Sequence, residues 1–137
     1  KAKHMIRDCK LIAERNNIKF KFNSYFPIRS LNLMRGVLVA EEDNIKNYYI
    51  DSIFNTIWQD GLNMNDEIII HKVLKNLNIN PKTFTLRSTS SLIKDSLRNK
   101  TNEAYEKGIF GAPTFVVNKK VFWGQDRIEF ALKEASK

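Results

Sequence analysis

The chain has 137 residues, of which 42% are hydrophobic and 28% are charged, and it contains only five Gly and three Pro. This length allows one domain of ordinary size, and the composition excludes a disordered, collagen-like or low-complexity chain. No apolar run approaches the ~20 residues that cross a bilayer, so we predict a soluble protein with no membrane partner.

The net charge of +8 is distributed in blocks rather than as one basic stripe. Residues 1–35 carry nine basic and two acidic side chains, residues 36–71 one and seven, and residues 72–137 thirteen and six. No zinc finger, aromatic RNA-binding pair or GXXG loop accompanies the charge, so we predict no nucleic-acid partner. A basic surface does attract anionic small molecules.

Cys9 is the single cysteine, which excludes an intrachain disulfide and a cysteine-based zinc site. The two histidines, His4 and His71, have no other ligand types at metal-binding spacing, so we predict no metal. One unpaired thiol suits a reducing compartment, most simply the cytoplasm. Because Cys9 lies on the apolar face of the first helical pattern, we predict a buried and inert thiol.

The chain opens with apolar residues at three- and four-residue spacing, which predict an amphipathic helix that ends at Asn16 and Asn17. Ile18, Phe20 and Phe22 then alternate with polar residues, and this pattern predicts a strand with one buried face. A helix followed by a strand is typical of the second half of a βαβ unit.

Four further helical patterns follow Pro27. Their apolar residues are, in order, Leu31, Met34, Val37 and Leu38; Ile50, Ile53, Phe54, Ile57 and Trp58; Ile70, Val73, Leu74 and Leu77; and Ile93, Leu97, Thr101, Ala104 and Tyr105. We predict that Asn65 or Asp66 begins the third of these helices, and that Gly61, Pro81 and Gly108 end the second, third and fourth.

The last thirty residues predict a hairpin and a terminal helix. Thr114–Val117 and Val121–Trp123 are rich in β-branched and aromatic residues, 118–120 form the turn, and the helix runs from Gln125 onward. This order is typical of an α/β, thioredoxin-like fold with an all-helical insertion, in which the first β-strand and active-site loop are missing. We predict a partial thioredoxin-like domain at 1–27 and 108–137 and a helical insertion domain at 28–107.

Pro113 directly precedes the first strand of the hairpin, and a proline there cannot donate to the sheet. In thioredoxin-like folds such a proline is cis and lies beside the active site. It turns the N–H and C=O of the preceding residue, here Ala112, toward an extended thiol peptide. We therefore predict a cis Ala112–Pro113 bond; a trans proline that merely starts the strand is the alternative.

Gln125 and Asp126 occupy the predicted first positions of the terminal helix, where free N–H groups favour an anion. The Asp126 carboxylate can also accept hydrogen bonds from an ammonium group. Together these groups suit an amino-acid head group with both charges. The alternative is that Asp126 only caps the helix and Arg127 is solvated.

Four segments carry a family resemblance: Lys1–Asp8, Phe26–Arg35, Gly108–Phe115 and Phe122–Arg127. They resemble the 2-hydroxychromene-2-carboxylate isomerase family, a bacterial group with the DsbA-like fold that is close to kappa-class glutathione transferases. The similarity runs from residue 1 to about residue 134. Trp58 and Trp123 are interpreted as core aromatic residues, with Trp123 bordering the ligand site.

The resemblance implies glutathione-dependent cis–trans isomerisation of a small aromatic 2-oxo or 2-hydroxy acid in aromatic-compound degradation. It implies that Ala112 and Pro113 hold the cysteinyl backbone of glutathione, that Gln125 and Asp126 hold its γ-glutamyl head, and that Lys1 reaches the ligand. Members of the family are commonly dimers, so a homodimer is expected.

Two departures from the family pattern limit this resemblance. The family's catalytic serine, or Cys-x-x-Cys in oxidoreductase relatives, follows the first strand, a segment that this chain lacks. The chain alone is therefore expected to be inactive. Arg29 stands where the family usually has Asn, and it either contacts a substrate carboxylate or is solvated. A kappa-class transferase, a DsbA-like disulfide oxidoreductase and an inactive thioredoxin-like binding domain stay open as alternatives.

Overall fold

A computed structural model describes residues 2–137, with side chains from residue 3. Within this range the chain is mostly helical and has one two-stranded sheet. The helices are α1 (Ala2–Arg15), α2 (Leu31–Glu42), α3 (Lys46–Asn55), α4 (Glu67–Asn76), α5 (Pro81–Ser88), α6 (Ser91–Glu106) and α7 (Ile128–Ala135), and the strands are β1 (Thr114–Val117) and β2 (Lys120–Trp123). A π-helical turn (Thr56–Asp60) continues α3, and a 3₁₀ turn (Gln125–Arg127) precedes α7.

The chain folds as two compact units, which divide between Lys94 and Asp95 inside α6. The first unit contains α1 to α5 and the start of α6. The second unit contains the rest of α6, the hairpin, the 3₁₀ turn and α7. The predicted division into 1–27 with 108–137 and 28–107 stays a prediction.

Asparagine residues in the left-handed conformation end three of the helices. Asn17 follows α1, Asn44 follows α2 and Asn78 follows α4, with φ angles of 54°, 58° and 58°. Asn tolerates this region because its short polar side chain can hydrogen-bond locally. The predicted ends of the first helix at Asn17 and of the second predicted helix at Gly61, where φ is 69°, are confirmed.

Pro81 does not end the third predicted helix, so that prediction is wrong. α4 begins after Asp66 as expected, with the Ile68 N–H donating to Asp66 Oδ1 at 2.9 Å, but it ends at Asn76. Pro81 instead begins α5, a helix that the sequence analysis missed, and Asn80 caps it by accepting from the Thr83 N–H. Proline suits a first helical position because the N–H that it lacks has no partner there.

The strand predicted at Ile18–Phe22 is also not formed: among residues 2–137 the structure pairs only β1 with β2. A strand needs a neighbouring strand, and this segment instead lies against the end of α3, where the Lys21 N–H donates to the Trp58 C=O. The alternation of apolar and polar residues places Phe20 and Phe22 on one side of the segment. Both rings pack against the Trp58 ring, with centroids 6.0 and 6.2 Å away.

The prediction that Cys9 is buried is wrong, because the thiol is exposed. Met5 and Leu11 on the same helix are also about half exposed. The apolar residues of α1 are spaced as a buried helix requires, yet little of the described chain packs over them. Among residues 3–15 of this helix, Ala13 alone is buried, with 8% of its surface exposed.

The core of the first unit forms where α2 packs against α3 and α5. At Gly36 a side chain would collide with this packing, because a Cβ atom would lie 2.7 Å from Tyr49 Cζ and 3.1 Å from the Phe84 ring. The buried Tyr49 hydroxyl donates to the Leu33 C=O at 3.1 Å, and burial raises the pKa of Tyr49 above its usual value. These contacts fix α3, which forms one wall of the cleft described below.

The hairpin of the second unit has the predicted pairing, with Thr114 opposite Trp123 and Phe115 opposite Phe122. The turn is shorter than predicted, because Lys120 already belongs to β2. Asn118 and Lys119 both have positive φ angles, 49° and 63°, as two-residue hairpin turns require. The hairpin and α7 complete the predicted strand–strand–helix order of the DsbA-like thioredoxin fold.

Glu134 accepts three hydrogen bonds, two of which connect α7 to the hairpin. Its carboxylate accepts from Lys137 Nζ at 2.8 Å and Lys120 Nζ at 2.9 Å, and its backbone C=O accepts from Asn118 Nδ2 at 3.1 Å. The hydrogen bonds from Lys137 and then Lys120 lower the pKa of Glu134 to about 2. The ionised carboxylate therefore stabilises the folded second unit.

We expect Glu134→Gln to lower the melting temperature at pH 7, because an amide oxygen accepts more weakly from ammonium groups than a carboxylate does. The folded-state pKa lies below the ordinary value of 4.5, so this stabilisation is complete above that pH and is lost as the pH falls to about 2. Thermal unfolding at several pH values measures this loss. Glu129→Gln, on the exposed side of the same helix, is the control; an equal effect of both variants would contradict the prediction.

Candidate functional site

The loop between α6 and β1 has the conformation that the sequence predicted. The Ala112–Pro113 bond is cis, which confirms the prediction, and a second cis bond that was not predicted joins Phe26 and Pro27. Ala112 is exposed, and within the described chain its backbone N–H and C=O form no hydrogen bond. The residue therefore presents one donor and one acceptor to solvent.

A single backbone hydrogen bond joins this loop to the start of the 3₁₀ turn. The Gly124 N–H donates to the Pro113 C=O at 2.9 Å. The four predicted site residues that the structure describes, Ala112, Pro113, Gln125 and Asp126, therefore lie on adjoining segments of the second unit. Lys1 lies outside the described residues.

The 3₁₀ turn differs from the predicted start of an α-helix. Gln125 and Asp126 belong to this turn, and the α-helix begins only at Ile128. Both residues are exposed, and in the described structure no acceptor is bound to their backbone N–H groups. These N–H groups are therefore available to an anionic group, as free donors in turns are.

The Asp126 carboxylate pairs with its neighbour and does not cap a helix. Asp126 Oδ2 accepts from Arg127 Nη1 at 2.7 Å, whereas the residue before α7 has no side-chain capping bond. The alternative of a capping Asp126 with a solvated Arg127 is therefore wrong. The other carboxylate oxygen, Oδ1, lies over Gly124, where a Cβ atom would approach it to 2.7 Å.

The sequence analysis missed the contact between this loop and β2. The rings of Phe110 and Trp123 lie 5.1 Å apart, and a Cβ at Gly111 would come within 2.6 Å of Trp123 Nε1. Gly111 thus allows the indole to lie directly against the loop. The prediction that Trp123 is a core residue is wrong, since 54% of it is exposed.

The first unit contains a separate apolar cleft of about 260 Å³. Its aromatic walls come from Phe26, Tyr49, Phe54 and Trp58, and most of the remaining wall is aliphatic. Within the part of the chain that the structure describes, no charged side chain lines it. Arg29 is not a lining residue; it is exposed, and its backbone N–H donates to Asn65 Oδ1 at 2.8 Å.

The described residues hold no cluster of metal ligands and no helix that could span a membrane. No three His, Cys, Asp or Glu side chains in that range stand close enough together to hold a metal ion. None of the described helices has both the length and the apolar character to cross a membrane.

The family model for the DSBA-like thioredoxin domain matches residues 1–135, nearly the whole chain. The protein therefore belongs to the DSBA-like thioredoxin domain family, as its cis-proline loop, hairpin and terminal helix indicate.

Within that class, the chain is similar to proteins named 2-hydroxychromene-2-carboxylate isomerase. It is 23% identical over 130 residues to the protein from Sphingobium xenophagum, an alignment that covers 95% of this chain and 66% of that protein. It is also 28% identical over 87 residues to the protein from Pseudomonas putida. That alignment covers 64% of this chain and 42% of the Pseudomonas protein. The resemblance that the motifs indicated is confirmed.

A solved structure of selenomethionine 2-hydroxychromene-2-carboxylate isomerase has the same fold. It superposes with a TM-score of 0.85 at 22% identity, over 98% of this chain and 65% of that one. The chain thus spans about two thirds or less of the length of the relatives that it matches.

Proposed function

We propose that the full-length protein is a glutathione-dependent cis–trans isomerase of the 2-hydroxychromene-2-carboxylate type, acting in aromatic-compound degradation in the bacterial cytoplasm. The relatives' name, 2-hydroxychromene-2-carboxylate isomerase, supports the isomerase part of this proposal. The observation on which the proposal rests is the Gly124 N–H bond to the Pro113 C=O. That bond joins the two segments expected to hold glutathione.

Ala112 is suited to the central part of an extended peptide. Its N–H and C=O have no partner in the described chain, so they are available to pair with the main chain of an added extended segment. The cysteinyl residue of glutathione has one N–H and one C=O that can pair in this way. We assign this contact to Ala112, with Pro113 fixing the direction of the loop.

The 3₁₀ turn is suited to the γ-glutamyl head, which carries both a carboxylate and an ammonium group. The free N–H groups of Gln125 and Asp126 would donate to the carboxylate. The Asp126 carboxylate, with one oxygen paired to Arg127, would accept from the ammonium through the other. The residues that are present therefore fit both charges of the γ-glutamyl head.

Bound glutathione would supply a thiolate that can add to, and leave from, a conjugated double bond. The residues described here bind and orient it: Ala112 aligns the peptide, and Asp126 with Gln125 anchors its head. By the name of the relatives, the substrate class is a small aromatic 2-hydroxy acid and its 2-oxo isomer. The inactivity of residues 1–137 alone and the homodimer stay predictions.

The direct test follows 2-hydroxychromene-2-carboxylate by ultraviolet absorbance with the purified full-length protein. We expect conversion with glutathione and none with S-methylglutathione, which keeps both charged ends but has no free thiol. Equal conversion in the absence of glutathione would overturn the cofactor assignment. No conversion under any condition would overturn the isomerase assignment and favour the transferase, oxidoreductase or binding-domain alternatives.

A further inference from the structure

The second unit has a cavity of its own, of about 330 Å³, beside the open edge of β2. Successive side chains of a strand point to opposite faces, yet Val121, Phe122 and Trp123 all line this cavity. It therefore curves around the edge of the hairpin instead of lying over one face. Its volume falls within the range of roughly 300–1,000 Å³ for ligand pockets. None of the residues assigned to glutathione lines it, so the cavity is a different site.

Most of the cavity wall is aromatic. The rings of Phe122, Trp123 and Phe130 line it, and Val121 supplies the aliphatic part. Trp123 and Phe130 are 54% and 57% exposed, so both present ring surface to a ligand. Aromatic side chains favour offset or tilted contacts with another ring, so the wall is suited to an aromatic ligand.

Arg127 gives the described lining its one charged side chain. Its guanidinium carbon lies 5.9 Å from the centroid of the Phe130 ring, a cation–π contact that keeps the positive charge at the aromatic wall. A ligand that fills the cavity therefore has a cation within reach. Charge complementarity favours an anion over a neutral or cationic ligand.

One side of the Arg127 guanidinium is available to that anion. Nη1 donates to Asp126 Oδ2 at 2.7 Å, whereas Nε and Nη2 donate to no acceptor in the described structure. An arginine can bind a carboxylate through two parallel hydrogen bonds, and Nε with Nη2 forms one of the pairs that do so. A ligand carboxylate can therefore bind here without displacing Asp126.

We propose that this cavity binds an aromatic carboxylate, with the ring against Trp123 and Phe130 and the carboxylate on the Nε and Nη2 side of Arg127. The ring and the charge have separate partners in one lining, and these partners lie on β2, the 3₁₀ turn and α7. The binding needs no glutathione and does not rest on the proposed function.

The test titrates the full-length protein with 2-naphthoate, which is ionised at pH 7, in the absence of glutathione. A bound ring shifts the nuclear magnetic resonance signals of nearby methyl groups, so we expect saturable shifts at Val121 and none at Ile68, which is exposed on α4. 2-Naphthamide has the same rings but no charge, and it should bind about tenfold more weakly. Equal affinities of the two ligands, or no shift at Val121, would overturn the proposal.

Arg127→Gln and Arg98→Gln make a matched pair of variants. Both arginines lie in the second unit and donate from Nη1 to an Asp, at 2.7 and 3.1 Å, but Arg98 does not line the cavity. Arg127→Gln should weaken 2-naphthoate binding about tenfold and leave 2-naphthamide binding unchanged. Arg98→Gln should change neither affinity, and an equal loss of 2-naphthoate binding in both variants would contradict the proposal.

Phe130→Ala tests the aromatic wall, and Phe54→Ala is its control. The two rings are similarly exposed, at 57% and 60%, but Phe54 lines the cleft of the first unit. Phe130→Ala should weaken the binding of both ligands at Val121 while circular dichroism shows an unchanged fold, and Phe54→Ala should not. If a second copy of the chain occupies the β2 edge instead, the Val121 signals will move with protein concentration before any ligand is added. That outcome, or equal affinities of the two Phe variants, would overturn the proposal.

Discussion

Asp126→Asn should lower the affinity for glutathione about ten- to a hundredfold, because the ligand ammonium loses a charged acceptor worth roughly 1.5–3 kcal/mol. The carboxylate is exposed and Arg127 binds it through Oδ2, so Oδ1 can accept from the ammonium without breaking the ion pair. Calorimetric titration of the full-length protein with glutathione measures the change. Because the reacting thiol lies at the other end of the peptide, the loss should be in binding.

The control for this variant is Glu129→Gln. It removes a charge of the same sign from the exposed side of α7. Glu134 is unsuitable as a control, although it lies on the same helix, because its carboxylate holds Lys120 and Lys137. Equal affinities of the wild type and Asp126→Asn would show that Asp126 only holds Arg127. The glutathione assignment would then depend on Ala112 and Pro113 alone.

Much of this site could be predicted from the sequence because its signals are local. A proline before a strand predicts the loop at Pro113, and Gly-Gln-Asp after a strand predicts free N–H groups at Gln125 and Asp126, although the helix predicted to begin there is a 3₁₀ turn. The Asp126–Arg127 pair could not be predicted in this way. Neighbouring residues on a helix do not face each other, so spacing alone does not predict an ion pair between adjacent positions such as Asp126 and Arg127.

Elements of the fold that depend on residues distant in the sequence were also harder to predict than local ones. Helix periodicity located α2, α3, α4 and α6, since each helix forms its own hydrogen bonds. The alternation at Ile18–Phe22 predicted a strand and was wrong, because a strand depends on a partner that the alternation does not specify. α5 was missed because its eight residues show little periodicity and Pro81 was interpreted as an end signal.

The Asn23 side chain holds the 18–22 segment in place through hydrogen bonds, where strand pairing was predicted. Removal of this side chain should therefore lower the stability of the protein strongly. The side chain is fully buried, and Nδ2 donates to the C=O groups of Ile57 at 3.0 Å and Leu62 at 2.8 Å. Its Oδ1 accepts from the Tyr25 N–H at 2.8 Å. Asn23→Ala removes all three hydrogen bonds, including the buried one to the Ile57 C=O, so we expect a loss of about 2–4 kcal/mol in the free energy of unfolding.

Urea denaturation measures this loss, and Asn16→Ala is the matched control. Asn16 also donates from its side chain to a backbone C=O, that of Ile12 at 2.7 Å, but it is exposed and water can replace the bond. We expect Asn16→Ala to lower the free energy of unfolding by less than about 1 kcal/mol.

Asn23→Asp adds a dependence on pH. The variant keeps an acceptor for the Tyr25 N–H but sets a buried carboxylate against two carbonyl oxygens. Its destabilisation should therefore lessen as the pH falls and the acid is protonated. Equal losses for Asn23→Ala and Asn16→Ala would mean that the packing around Trp58, and not this amide, holds the segment against α3.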